Sequence, residues 1–180
     1  MKTFTLFLLI IATALFTSCE GDQGPQGIPG EDGYDILGTT FEIEGTFSAS
    51  NDYLLYYEFP SSFTVYDGDV VMIYILWEVT EGLDVWRALP QSVFFNEGVL
   101  HYNFDYTLGD LQIFIDGTIE PALLSSDYLQ DQIFRIAVIP SELAQNKSVD
   151  ISDYNSVMKA MKTSDTAIQK IQIDTTTGLN

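Results

Sequence analysis

The chain predicts an all-β fold, an antiparallel β-sandwich or partly closed barrel with one C-terminal helix packed on it. Three observations carry this expectation. A period of two in hydrophobicity dominates from Ile36 onward. Turn-forming Gly, Pro, Asn and Asp residues break that pattern at the 8–12 residue spacing of short antiparallel strands. Only one stretch has a helical period, and it falls late, between Ser152 and Lys162.

In chain order, Phe41, Ile43, Gly45 and Phe47 alternate with Thr40, Glu42, Glu44 and Thr46. This predicts a half-buried strand whose second face is acidic and wet. Residues 53–59 form a second strand stopped by Pro60, and Phe63-Thr64-Val65 a short third piece before Asp67-Gly68-Asp69 turns the chain. Residues 70–77, Val-Val-Met-Ile-Tyr-Ile-Leu-Trp, are apolar on both faces. Their β-branched and aromatic content favours a central strand covered on each side over a buried helix. A turn at Glu81-Gly82-Leu83-Asp84 leads to residues 85–89, close enough for a hairpin that Pro90 ends.

Residues 93–95 and a turn at Asn96-Glu97-Gly98 precede the clearest alternation in the chain. Leu100, Tyr102, Phe104, Tyr106 and Leu108 share one face, and His101, Asn103, Asp105 and Thr107 share the other. Leu111, Ile113 and Ile115 continue it to Asp116-Gly117, and residues 133–139 form a late strand ending at Pro140. The helix is capped by Ser152, with Asp153 in its first turn where an anion suits the dipole. Its apolar stripe is Tyr154, Val157, Met158 and Met161, with Lys159 and Lys162 near its end. Ile168, Ile171 and Ile173 close a last strand, and one-turn helices are expected around residues 122–124 and 141–144. The total is roughly seven or eight strands, which suits a sandwich or barrel.

The N-terminal residues carry a different signal. Met1-Lys2 and an apolar run from Phe4 to Phe16 form a positive n-region and an h-region too short to span a bilayer. The run ends in Leu15-Phe16-Thr17-Ser18-Cys19, and Cys19 is the one cysteine in the chain. Small residues before a lone cysteine resemble the lipobox of bacterial lipoproteins. That resemblance implies cleavage after residue 18 and lipid attachment at Cys19, with acyl chains contributing about 0.8 kcal/mol per buried methylene. Glu20-Gly21-Asp22 is partly similar to the acidic tract after the lipid cysteine in surface-exported lipoproteins of the Bacteroidota. The implied location is the outer membrane, on its periplasmic face or at the cell surface.

Between Gly21 and Gly33 glycine recurs at every third position, with Pro25 and Pro29 among the intervening residues. The spacing is that of collagen, but so few triplets cannot offset the entropy of ordering three chains. The tract reads as a semi-extended spacer. The expected organisation is a signal peptide over residues 1–18, a lipidated N-terminus and G-x-y spacer over 19–33, a β-rich domain over 34–175, and a flexible tail over 176–180. Lipobox, triplet tract, β-rich domain and the segments 134–140 and 149–160 together resemble uncharacterised flavobacterial lipoproteins of the Bacteroidota with a short collagen-like G-x-y segment. The resemblance implies no catalytic or cofactor-binding residues.

Composition narrows the function. The chain has 26 Asp and Glu against 7 Lys and Arg, a net charge of −19. That excess disfavours nucleic acid, whose phosphates need basic neutralisation. Lipidation removes Cys19 as a nucleophile, and the glycines lack the Lys-Ser/Thr ending of a phosphate loop. A zinc site or a histidine triad would rest on His101 alone, on a polar strand face beside Asn103 and Asp105. Asp67 and Asp69 about Gly68, and Asp150 and Asp153 at a helix start, are explained by turn formation and capping without calcium.

No catalytic, cofactor or metal residues are assigned, and the site expected is lipid attachment at Cys19. Among the aromatics, Trp77 lies in the most apolar strand. Trp86, followed by Arg87, and the pair Phe94-Phe95 are the ones least obviously internal, with one member of the pair pointing outward. The function expected is a lipid-anchored envelope module that is not an enzyme. Its membrane contact is through the anchor, and its partner is itself or another envelope protein. A glycan-binding lipoprotein is the alternative, and a carboxylate hydrolase a third.

Overall fold

Alternating strands bury one face each, and here they do so by stacking two sheets rather than by closing one. The computed structural model describes residues 38–161 and 168–173. The leader, Cys19, the glycine-triplet spacer and the tail at 176–180 lie outside them. All described residues belong to one unit, Tyr34–Asn180.

The strands are β1 (Thr39–Gly45), β2 (Leu54–Glu58), β3 (Val70–Thr80), β4 (Leu83–Ala88), β5 (Gln91–Phe95), β6 (Gly98–Tyr106), β7 (Asp110–Gly117), β8 (Gln132–Ile139) and β9 (Gln169–Gln172). Among the described residues, helices α1 (Ser141–Ala144) and α2 (Tyr154–Ala160) lie between β8 and β9. One sheet has the order β4-β3-β8-β1-β9 and the other β2-β7-β6-β5. Every pairing is antiparallel except β1 with β9, which is parallel.

The core lies between the sheets. Phe41 and Ile43 from β1, Val71, Ile73 and Ile75 from β3, and Phe134, Ile136 and Val138 from β8 meet Leu55, Leu100, Tyr102, Leu111 and Ile113 from the smaller sheet. Each fully buried side chain of this size contributes about 1.5–3 kcal/mol against the entropy of ordering the chain. The central strand expected at 70–77 is covered on both sides. Its other face, Val70, Met72 and Tyr74, packs with Ala137 and Ile139 beneath Val157 and Met158 of α2 and Met161 just after it. Ala137 faces Met72 and Ala88 faces Tyr74 across the ladder, so small residues make room where the helix lies. The β3–β4 hairpin turns through Glu81 and Gly82, both at positive φ, which suits the twist of a two-residue connection.

Several expectations are corrected. Residues 63–65 form no strand: Phe63 N–H donates to the Pro60 carbonyl, and the looped segment buries Val65 and sets Phe63 edge-on to Phe41 and Phe59. Apolar side chains there plug the end of the sandwich instead of lining a ladder. The helix is capped by Asp153, whose carboxylate accepts from Ser156 N–H, while Ser152 donates to Asp150. The residues at 121–123 form a 3-10 turn. The apolar face of β6 outruns the core: Leu100 and Tyr102 are buried, but Leu108 sits exposed in the following turn. Glu42, expected on a wet face, is buried.

Gly117 allows the closest approach between β7 and β6. Its φ is 136°, and a Cβ there would fall on the Val99 carbonyl oxygen. Gly117→Ala is therefore expected to lower stability by at least about 2 kcal/mol through strain and displaced pairing. Urea unfolding checks this, and an unchanged midpoint would show that this corner yields without cost.

Candidate functional site

The residues singled out from the sequence scatter over the fold rather than converge. His101, on β6, is half-buried, and its Nδ1 pairs with the Ser92 hydroxyl at 2.8 Å. Asn103 donates to Asp116 on the same outward face of the smaller sheet. Asp69 accepts from Tyr66 N–H and Ser141 N–H, which ties its turn to the start of α1. Asp150 accepts from the Ser152 hydroxyl and N–H, bonds that hold its carboxyl below the ordinary range. Turn and cap duties thus occupy these carboxylates, and no group of three metal-ligating side chains exists among the described residues.

Of the adjacent phenylalanines, Phe94 is 79% exposed, while Phe95 sets its ring edge-on to Tyr128. The smaller sheet's outward side chains, Tyr56, Asn103 and Phe114 among them, belong to neither hydrophobic core. Tyr56 donates to Asp110, which with the Ser92–His101 and Asn103–Asp116 pairs makes that face a hydrogen-bonded, partly aromatic surface. No Lys or Arg occurs on the strands of this sheet, which carry Glu58, Asp105, Asp110 and Asp116.

Trp86 has an internal role. A single row of register partners crosses the larger sheet from Lys170 on β9 to Glu42 on β1, Arg135 on β8, Tyr74 on β3 and Ala88 on β4. Arg135 Nε and Nη2 donate to Glu42 Oε1 at 3.0 and 2.6 Å, and Nη1 donates to the Tyr154 hydroxyl on α2. The guanidinium lies 4.1 Å from the Trp86 ring centre, and Trp86 stacks against Tyr154. Lys170 Nζ approaches the other carboxylate oxygen at 3.4 Å from an exposed position. Both members of the pair are almost wholly buried. The group thus fastens α2 to the sheet and offers no open carboxylate to a substrate.

A second gathering lies at one open end of the sandwich. The β3–β4 pairing slips between Leu76 and Glu78, so Trp77 is the extra residue of a bulge. The slip leaves its ring among the partners of the inter-sheet core, half-buried at the mouth, with the Arg87 guanidinium 4.0 Å from the ring centre. Opposite, the 3-10 turn Ser126–Tyr128 brings up Asp127 and Tyr128. Gln132 pins that turn by donating to the Asp127 and Gln130 carbonyls, and the buried Tyr102 hydroxyl donates to the Tyr128 carbonyl. Trp77, Tyr102, Asp127, Tyr128 and Gln132 line a cleft of about 220 Å³. The sequence offered one signal for it, an aromatic at the end of a long apolar strand followed across the hairpin by an arginine.

Removing one partner of the buried pair leaves an uncompensated charge, so Arg135→Met or Glu42→Gln is expected to cost about 3–5 kcal/mol. The double variant Glu42→Leu/Arg135→Met should recover most of that, and a double-mutant cycle in urea gives the coupling; additive losses would refute it. Tyr74 carries a buried hydroxyl that has no hydrogen-bond partner among the described residues. Burial, with Asp153 and Asp150 nearby, pushes it up from 10.0 to about 12. The unfolded chain then loses this proton first, so its contribution is intact below pH 10 and lost as pH rises towards 12. Tyr74→Phe should remove that part of the alkaline loss, and at neutral pH leave stability equal or higher. Thermal melts across this range check both statements. Comparison with protein-family models, with curated proteins and with solved structures returns no match to this chain.

Proposed function

We propose that this chain is a lipid-anchored protein of the cell envelope that holds a β-sandwich at the outer membrane as an interaction module. The observation that carries this reading is the apolar run from Phe4 to Phe16 ending in Thr17-Ser18 and the lone Cys19. A spacer with glycine at every third position then separates the lipid from the folded part, so the module stands off the bilayer. The net charge of −19 keeps it from lying on anionic headgroups.

The module reading is supported by where the polar chemistry goes. The buried carboxylate among the described residues, Glu42, is committed to Arg135, and Asp69, Asp150 and Asp153 serve turns and a cap. The hydrogen-bonded outer face of the smaller sheet is a surface for a second copy or another envelope protein, with Phe94 exposed at its edge strand.

Labelling with palmitate and detergent-phase partition of the full chain test the anchor. Wild type is expected to take up label and enter the detergent phase. Cys19→Ser should do neither, and should keep residues 1–18 uncleaved. Equal labelling of the two would overturn lipid attachment at Cys19.

A further inference from the structure

The cleft at the mouth of the sandwich is built by two local devices, each with a residue-level cause. The bulge between Leu76 and Glu78 falls at Trp77, the last inward residue after Ile73 and Ile75, and Gln132 holds the turn carrying Asp127 and Tyr128 with two hydrogen bonds. One is a backbone irregularity and the other a pair of side-chain hydrogen bonds, and their residues meet in the cleft. The Trp77 indole N–H, the Asp127 carboxylate and the Gln132 carbonyl have no hydrogen-bond partner among the described residues. Residues that carry one such donor, two such acceptors and aromatic rings therefore line the same small space.

We infer that this cleft binds a neutral sugar, as a single ring or the end of a glycan chain. The chemistry of the lining selects that class. A sugar ring presents C–H faces to an aromatic wall and hydroxyls that both donate and accept at its rim, and an indole N–H, a carboxylate and an amide carbonyl match such a rim. A lipid tail would leave these polar groups without partners. An anionic ligand is repelled by Asp127 and by the charge of the whole chain. Size limits the ligand further: about 220 Å³ lies below the ~300–1,000 Å³ that encloses drug-sized molecules. Arg87 over the indole restrains the ring, so less side-chain freedom is lost when a ligand arrives. The inference goes beyond the anchoring reading and stands without it.

The chain has two tryptophans, Trp77 and Trp86, so its nitrogen-labelled spectrum carries two indole N–H signals. They are assigned with Trp77→Phe and recorded on the full chain in detergent micelles. Neutral hexoses, pentoses and N-acetylhexosamines are titrated to millimolar levels, with glycerol as the control. At least one sugar is expected to move the Trp77 signal saturably and leave Trp86, under α2, unmoved. Asp127→Asn, a change at an exposed residue, should weaken that sugar about tenfold while the far-ultraviolet spectrum stays the same. Four results would overturn the inference: a silent Trp77 signal, an equal shift with glycerol, a shift at Trp86 instead, or a sugar affinity indifferent to Asp127→Asn.

Discussion

A buried Arg–Glu pair costs several kcal/mol per ion in lost hydration and survives only when geometry returns that cost. In this molecule Glu42 and Arg135 are direct register partners on β1 and β8, the two strands that hold the larger sheet together beside β3. Two guanidinium nitrogens reach one carboxylate oxygen, the third reaches Tyr154, and Trp86 lies against the cation's face. Each nitrogen of the cation thus donates at least one hydrogen bond. The pair can sit there only if α2 is down, because Tyr154 and the helix stripe are what exclude water from it. Conversely, α2 is only seven residues long and would not hold its own shape without a surface to lie on. Pair and helix are therefore mutually conditional. A slip of β1 against β8 by one residue would bury Phe41 or Ile43 under the helix and turn Glu42 into the apolar core.

This dependence explains which parts of the fold were legible in the sequence. Alternation in β1, β6 and β7 assigns side chains to faces, and Phe41, Ile43, Leu100, Tyr102, Phe104, Leu111, Ile113 and Ile115 do join the inter-sheet core. Alternation says nothing about what covers a face. Glu42 reads as wet because Thr40, Glu42 and Glu44 look like a solvent side, and the lid over it arrives more than a hundred residues later in α2. The parallel pairing of β9 with β1 is invisible for the same reason: it depends on where a crossover over the outer face comes down. The stripe Tyr154, Val157, Met158 and Met161 was readable because helical spacing is local. Its Asp153 cap was one residue from the expected Ser152, since Asp150 claims that serine first.

The cleft was harder to foresee than the core. Trp77 ends an eight-residue apolar run, which argues for burial, yet as the last of the inward row Val71, Ile73 and Ile75 it stands half-buried beside a bulge. Trp86, which reads as less obviously internal beside Arg87, is half-buried and packed against Arg135 and Tyr154. Each arginine lies over a tryptophan, Arg87 on Trp77 and Arg135 on Trp86, and the difference lies in the cations, Arg135 being buried and Arg87 exposed. The enclosed pair stabilises a helix, and the half-open pair borders a space. The face of the sheet on which each ring lies, inner for Trp77 and outer for Trp86, separates the aromatic that borders the cleft from the one that packs on the helix.

The two sheets consequently have unequal duties. The larger sheet spends its outer face on α2, its charged pair and Lys170, so little polar capacity remains there for a partner. The smaller sheet keeps its outer face hydrated, with His101, Asn103 and Tyr56 satisfied by Ser92, Asp116 and Asp110. Polar groups paired in this way do not demand a partner, but they make one inexpensive to accept, because hydrogen bonds are exchanged rather than lost. The mouth of the sandwich differs again, since its donor and acceptors are not spent on one another. Hydrogen-bonding capacity left free, beside a pinned turn and a tryptophan backed by Arg87, is the feature that separates a recognition site from a well-solvated surface.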